Sequence, residues 1–122
     1  MPPVVGRIRR SDTFRALARP QGRGASGPVT VVFSRRTSEP AAFPLVGYAV
    51  GRRHGGAVAR NRLRRRLRAA VRDTAAALPP GAYLVRATTS ATSLGADELR
   101  RAVAVAARTA AGARRDRAAH GW

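Results

Sequence analysis

Between Ala57 and Leu78 the chain reads AVARNRLRRRLRAAVRDTAAAL. Advancing about 100° per residue sorts this stretch into two faces of one helix. Leu63, Leu67, Ala70, Val71, Thr74 and Leu78 share a stripe as wide as a core-facing helix needs. Asn61, Arg64, Arg65, Arg68 and Arg72 take the opposite arc, with Arg62 and Arg66 on its shoulders. Arg60 falls over the apolar stripe, but in the first turn, where its side chain reaches past the end of the core. One side of this helix must be sealed and the other cannot be. The i,i+4 series Arg64–Arg68–Arg72 carries a single sign, which destabilises an isolated helix. A mixed-charge face would serve solubility better, so the stretch reads as a surface for phosphate.

The flanking sequence supplies what the dry stripe can pack on. VTVVFS (29–34) is β-branched, with Val29, Val31 and Phe33 on one side. PLVGYAVG (44–51) sets Val46, Tyr48 and Val50 opposite Leu45, Gly47 and Ala49, and AYLVRAT (82–88) is a third strand. QGRGASGP (21–28) is turn-rich and offers a poor edge strand at best. Ser11 can cap a short helix with Phe14, Leu17 and Ala18 on one face, stopped by Pro20. A last helix is predicted over about 96–111, with Gly95 as N-cap and Glu98 at N3 as half of a capping box. Residues 35–43 read as a loop. The order α-β-β-β-α-β-α predicts an α+β fold, an α/β sandwich around one four-stranded sheet. It makes a single domain over 1–122 with its core at about 7–111, residues 1–6 and 112–122 being expected to be mobile.

Twenty-four basic residues, all arginine, stand against six acids, for a net charge of +18. Such self-repulsion opposes compaction unless a polyanion shares the surface. Arginine suits that partner, because its rigid fork grips phosphate bidentately. The absence of lysine fits a general drift toward Ala, Arg, Gly and Pro rather than functional tuning. With no cysteine, thiolate metal sites and thiol nucleophiles are excluded. No apolar run approaches the ~20 residues of a membrane span, and the start lacks an export signal, so a cytoplasmic protein without membrane partners is expected.

The chain shows no catalytic set of its own. His54 and His120 are the only histidines, and the six acids are scattered with no metal-ligating spacing. Gly55 and Gly56 put flexible backbone ahead of the helix, so that its first N–H groups can approach an anion, but the Walker pattern is absent. A helix-turn-helix DNA reader is disfavoured, since two strands immediately precede the basic helix. On spacing alone Phe14 with Leu17, and Phe33 and Tyr48 in strands, read as core.

The stretch VGRRHGGAVARNRLRRRLRAA resembles the signature of the protein subunit of bacterial ribonuclease P, roughly [KR][KR]xGNAVxRNRx[KR]R after a strand. Arg52, Arg53, Gly55, Ala57, Val58, Arg60, Asn61, Arg62, Arg64 and Arg65 stand where that pattern places them, and the likeness covers roughly 7–111. It implies a ribosomal-protein-like sheet with a left-handed β-α-β crossover, against the usual hand. It also implies a ribonucleoprotein endoribonuclease that removes the 5′ leader of precursor tRNA. The RNA subunit would hold the catalytic Mg²⁺, and the protein would carry neither catalytic nor metal-binding residues. Under this resemblance Arg52, Arg53, Arg60, Asn61, Arg62, Arg64, Arg65 and Arg68 bind ribonuclease P RNA, while Phe14, Leu17 and Phe33 line the leader cleft. Gly56 replaces the family's Asn, Ala18 stands where a second helix aromatic is common, and Arg86 and Thr88 also depart from the pattern. A ribosomal protein or general RNA chaperone is the alternative, from which the RNR motif separates it.

Overall fold

The computed structural model describes residues 5–37, 39 and 42–120, with side chains through 112. Residues 1–4 and 121–122, the side chain of His120 and parts of the 35–43 loop, all covered by the expectations above, lie outside the described residues. In chain order the elements are β1 (Gly6–Arg7), α1 (Ser11–Ala16), β2 (Gly22–Ser26), β3 (Val29–Ser34), β4 (Pro44–Ala49), α2 (Ala57–Thr74), β5 (Gly81–Ala87) and α3 (Ala96–His120). They form one sheet in the order β1-β4-β5-β3-β2. β4 and β5 are parallel neighbours joined through α2, and β3 runs antiparallel to both β5 and β2.

The mixed α+β sandwich is as expected, but the sheet has five strands rather than four. The extra one is β1, two residues paired parallel to β4 through Gly6↔Leu45 and Arg7↔Val46. So short a strand leaves no alternation to read. The structured chain therefore begins earlier than the sequence suggests, with Val5 packed on the core. At the other end α3 continues to His120 instead of stopping near 111. Its Ala- and Arg-rich extension has high helix propensity, and Gly112 alone does not break it.

Strand alternation divides the side chains between two cores. Val29, Val31, Phe33, Val46, Tyr83 and Val85 face α2 and α3. Val32, Leu45, Ala82 and Leu84 face α1, where Ile8 and Leu17 close over them. All six residues of the stripe read from sequence, Leu63 through Leu78, are buried. At the start of α3 the Gly95 N–H donates to Glu98 Oε1 at 3.1 Å, the capping half-box expected. α1 differs slightly: Arg10 is its N-cap and Ser11 already lies inside the helix.

The weak segment 21–28 proves to be a true edge strand, and its glycines are the reason. A methyl group on Gly22 would lie 1.8 Å from the Ala110 carbonyl oxygen, and one on Gly24 2.1 Å from that of Ala106. Backbone therefore packs on backbone where α3 crosses β2, a close approach that glycine in a strand permits. Gly24→Ala must push α3 away and should cost about 1–3 kcal/mol, read as a lowered urea midpoint at unchanged slope.

The junction of β1 and α1 is held by Glu39, whose carboxylate accepts the N–H groups of Arg9 (3.1 and 3.2 Å) and Arg10 (2.7 Å). Burial raises this carboxyl, but hydrogen bonds from the Arg10 backbone, Thr13 and the Arg9 backbone, with the Arg10 charge, outweigh it and hold it below its usual 4.5. A depressed carboxylate stabilises fully above its unfolded value, and that contribution disappears as pH falls through the folded one. Glu39→Gln should therefore lower stability at neutral pH, and the deficit should close as the pH falls from above the usual 4.5 through the folded carboxyl's lower value, measured by paired denaturation curves.

Candidate nucleic-acid interface

Two residues beyond the end of β4 the chain makes a tight 3-10 turn, Arg52–His54, before α2 begins. Gly55 takes φ +104, a left-handed conformation that explains a glycine there. Gly56 is different: it is the N-cap of α2 at an ordinary φ of −76, and a Cβ on it would meet nothing within 4 Å. His54 Nε2–H donates to the Ala87 carbonyl at 2.7 Å and Nδ1 lies 3.3 Å from that of Gly51, so the turn is pinned to the end of β5.

Burying the apolar stripe of α2 turns its arginines outward. Arg52, Arg53, Asn61, Arg62, Arg65 and Arg68 are exposed, and Arg60 and Arg64 half-buried. Arg64 donates to Asn61 Oδ1 at 3.1 Å and to the Val50 carbonyl at 3.3 Å, which ties the helix to the end of β4. The guanidinium carbon of Arg68 stands 5.7 Å from the centroid of the Tyr48 ring, a cation–π contact. Burial pushes the Tyr48 phenol up to about 12, against the lowering pull of Arg68 and Arg72. Arg60, read as reaching beyond the core, has its Nε shielded from solvent without an acceptor among the described residues. The carboxylate ion pairs among the described residues lie elsewhere, Arg10 with Asp12 and Arg100 with Asp73 and Asp97. Among the described residues, the motif's arginines thus form a cationic field outside these ion pairs.

The aromatic set divides. Phe14 is 44% exposed and lies over Gly47, where a methyl group would come 2.8 Å from its ring. Phe33 is 1% exposed and packs against Tyr83 beneath the helices, ring centroids 4.8 Å apart and planes tilted by 45°, on the opposite side of the sheet from Phe14. Leu17 is 2% exposed and packs under α1. Assigning Phe33 and Leu17 to a ligand-facing cleft is therefore corrected: the pleat sends Phe33 inward with Val31, and Leu17 is the inward anchor of α1. What shares the open face with Phe14 is a polar row set by register, with Thr30 opposite Arg86 and Ala49 beyond it. Arg86 is exposed there. Alternation in β5 was the available signal: once Tyr83 and Val85 point inward, Arg86 must point the other way.

An open β-floor with an exposed aromatic, beside a helix whose outer face is dense in arginine, has the features of a nucleic-acid-binding domain. The family model described as Ribonuclease P matches residues 3–111. The ribonuclease P protein component of Streptomyces griseus is 40% identical over 92 residues, covering 70% of this chain and 74% of its own length. That of Nocardioides sp. is 42% identical over 98 residues, with coverages of 78% and 82%. Among solved structures, the RNase P protein from Thermotoga maritima superposes with a TM-score of 0.66 at 20% identity, covering 80% of this chain and 90% of that one. A Staphylococcus aureus RNase P protein mutant gives 0.67 at 18% identity, covering 80% of each. This chain belongs to the ribonuclease P protein family.

The departure at Gly56 has a measurable consequence. Open space around this N-cap means that Gly56→Asn adds a capping acceptor without a clash. It should raise stability by a few tenths of a kcal/mol, seen as a small increase in Tm.

Proposed function

We propose that this chain is the protein component of a ribonuclease P ribonucleoprotein, assisting removal of the 5′ leader from precursor tRNA. In this reading the α2 arginine face and the Arg52–Arg53 turn hold the catalytic RNA. The open sheet face beside Phe14 and Arg86 holds the single-stranded leader. The observation that carries it is the cationic face of α2, built on the family's motif and left without a carboxylate partner among the described residues. Neither the family match nor the relatives point to a ribosomal protein or general chaperone.

The protein's part is electrostatic and positional. Guanidinium groups offset phosphate charge where two RNAs meet, and an aromatic ring offers a base a stacking surface. Among the described residues no three His, Asp or Glu side chains converge as a metal site would require. The proposal assigns the Mg²⁺ ions and the bond-breaking step to the RNA. No helix of the described residues is long and apolar enough to cross a membrane. The left-handed sense of the β4–α2–β5 crossover belongs to the same proposal.

Reconstitution tests it. Mixed with ribonuclease P RNA and precursor tRNA at low Mg²⁺, the protein should stimulate cleavage; no stimulation would refute the reading. If six to ten phosphates are neutralised, RNA affinity should fall by ~10³–10⁵ between 50 and 200 mM salt. Arg60→Ala, Arg62→Ala and Arg65→Ala combined should weaken assembly more than the same change at Arg114, Arg115 and Arg117. Phe14→Ala should weaken substrates that carry a leader by about 1–3 kcal/mol and leave mature tRNA unaffected, measured by competitive binding.

A further inference from the structure

We propose that the cleft between β1, β4 and α2 is a separate seat for one phosphate-bearing nucleotide of an RNA strand. This deepens the reading above and rests on it. The cleft has a volume of about 400 Å³, within the range of small-molecule sites and well beyond what a single phosphate fills. Four arginines line it, Arg7 and Arg9 at one edge of the sheet and Arg68 and Arg72, one turn apart on α2. Some sixty residues separate the two pairs in sequence. Their meeting is therefore a product of the fold, not of one helix face.

Two of the four are held in place before any ligand arrives. Glu39 fixes the backbone of Arg9 through its N–H, and the ring of Tyr48 supports Arg68 from below. Among the described residues no acid lines the cleft. Gathering like charges this way costs energy that an anion would offset, and arginine forks match a phosphate's oxygens. The rest of the lining is apolar: Val5, Val46 and the Tyr48 ring offer a surface to a sugar or base. A nucleotide has both parts, whereas inorganic phosphate uses only one.

The position of the cleft indicates that its ligand arrives as part of a strand. Arg68 is shared with the shallow groove of Asn61, Arg64 and Arg65 along the outside of α2. Arg64, Arg68 and Arg72 climb in steps of about 6 Å, on the scale of the separation between successive phosphates. Backbone tracked along the helix leads into the cleft. Val46 and Tyr48 face the α2 side of the sheet and Phe14 the other, so this seat and the open floor take different stretches of RNA.

The test is an NMR titration of the full chain, following the amides of Gly6, Arg7 and Val46 against those of Thr30 and Arg86 on the open face. Three probes are used: inorganic phosphate, adenosine 5′-monophosphate and a short single-stranded RNA. Saturable shifts at the cleft with RNA, and with the nucleotide more tightly than with phosphate, are expected. Saturation by phosphate alone, or no saturation by any probe, would overturn the proposal. Arg7→Gln with Arg72→Gln should weaken RNA at the cleft amides by roughly tenfold or more. Arg101→Gln with Arg108→Gln, which removes equal charge on α3, should change it much less; equal losses would reduce the cleft to diffuse charge. Undisturbed Thr30 shifts report that the variants fold, and Arg7→Lys with Arg72→Lys, charged but without forks, should fall between. A wild-type protein that stimulates ribonuclease P RNA while the cleft variants match the α3 control would leave the proposed function standing and remove this inference alone.

Discussion

Everything on the surface of this protein follows from how one helix is seated. Leu63, Leu67 and Val71 of α2 share a core with Val46, Val50 and Val85 of the sheet. Each such side chain contributes about 1.5–3 kcal/mol on burial, whereas a like-charge i,i+4 pair costs a few tenths. The seating therefore wins easily over repulsion along Arg64–Arg68–Arg72. It also removes any choice about where the arginines go. A helix that locks its apolar side so firmly must display its charge at one edge of the sheet, beside the turn that precedes it.

The second constraint is the division of the sheet into two unequal faces. The α2/α3 face is covered by two helices except at the cleft beside β1, and α3 comes near enough to β2 for its carbonyl oxygens to occupy the space of absent side chains at Gly22 and Gly24. The α1 face is only partly covered, because α1 has six residues. What α1 leaves bare, from Ala49 through Arg86 to Thr30, is a floor with Phe14 at its margin. Strand pairing fixes the register of that floor, while the exposed side of α2 is rich in arginine.

Much of this was legible in the residues. The stripe of α2, the alternation of β3, β4 and β5, and the start of α3 at Gly95 were all set by period and capping, which are local properties. Three things were not. β1 is two residues long and exists only because β4 offers it an edge. β2 has glycines where strand formers belong, and their purpose is visible only once α3 lies across them. Phe33 was assigned to the wrong face, because an aromatic in a strand points to one side or the other by register, and only the position of the helices decides which is the interior. Contacts between distant segments, such as Arg68 on Tyr48 or His54 on Ala87, leave no trace in spacing.

The last of those contacts sets a dimension. His54 closes the Arg52–His54 turn and bonds the carbonyl of Ala87, whose predecessor Arg86 lies on the exposed floor. The imidazole thus ties the turn ahead of α2 to the strand that carries Arg86. In the proposed reading, a polymer touching both would meet them at a spacing braced by that bond, like jaws joined by a cross-bar.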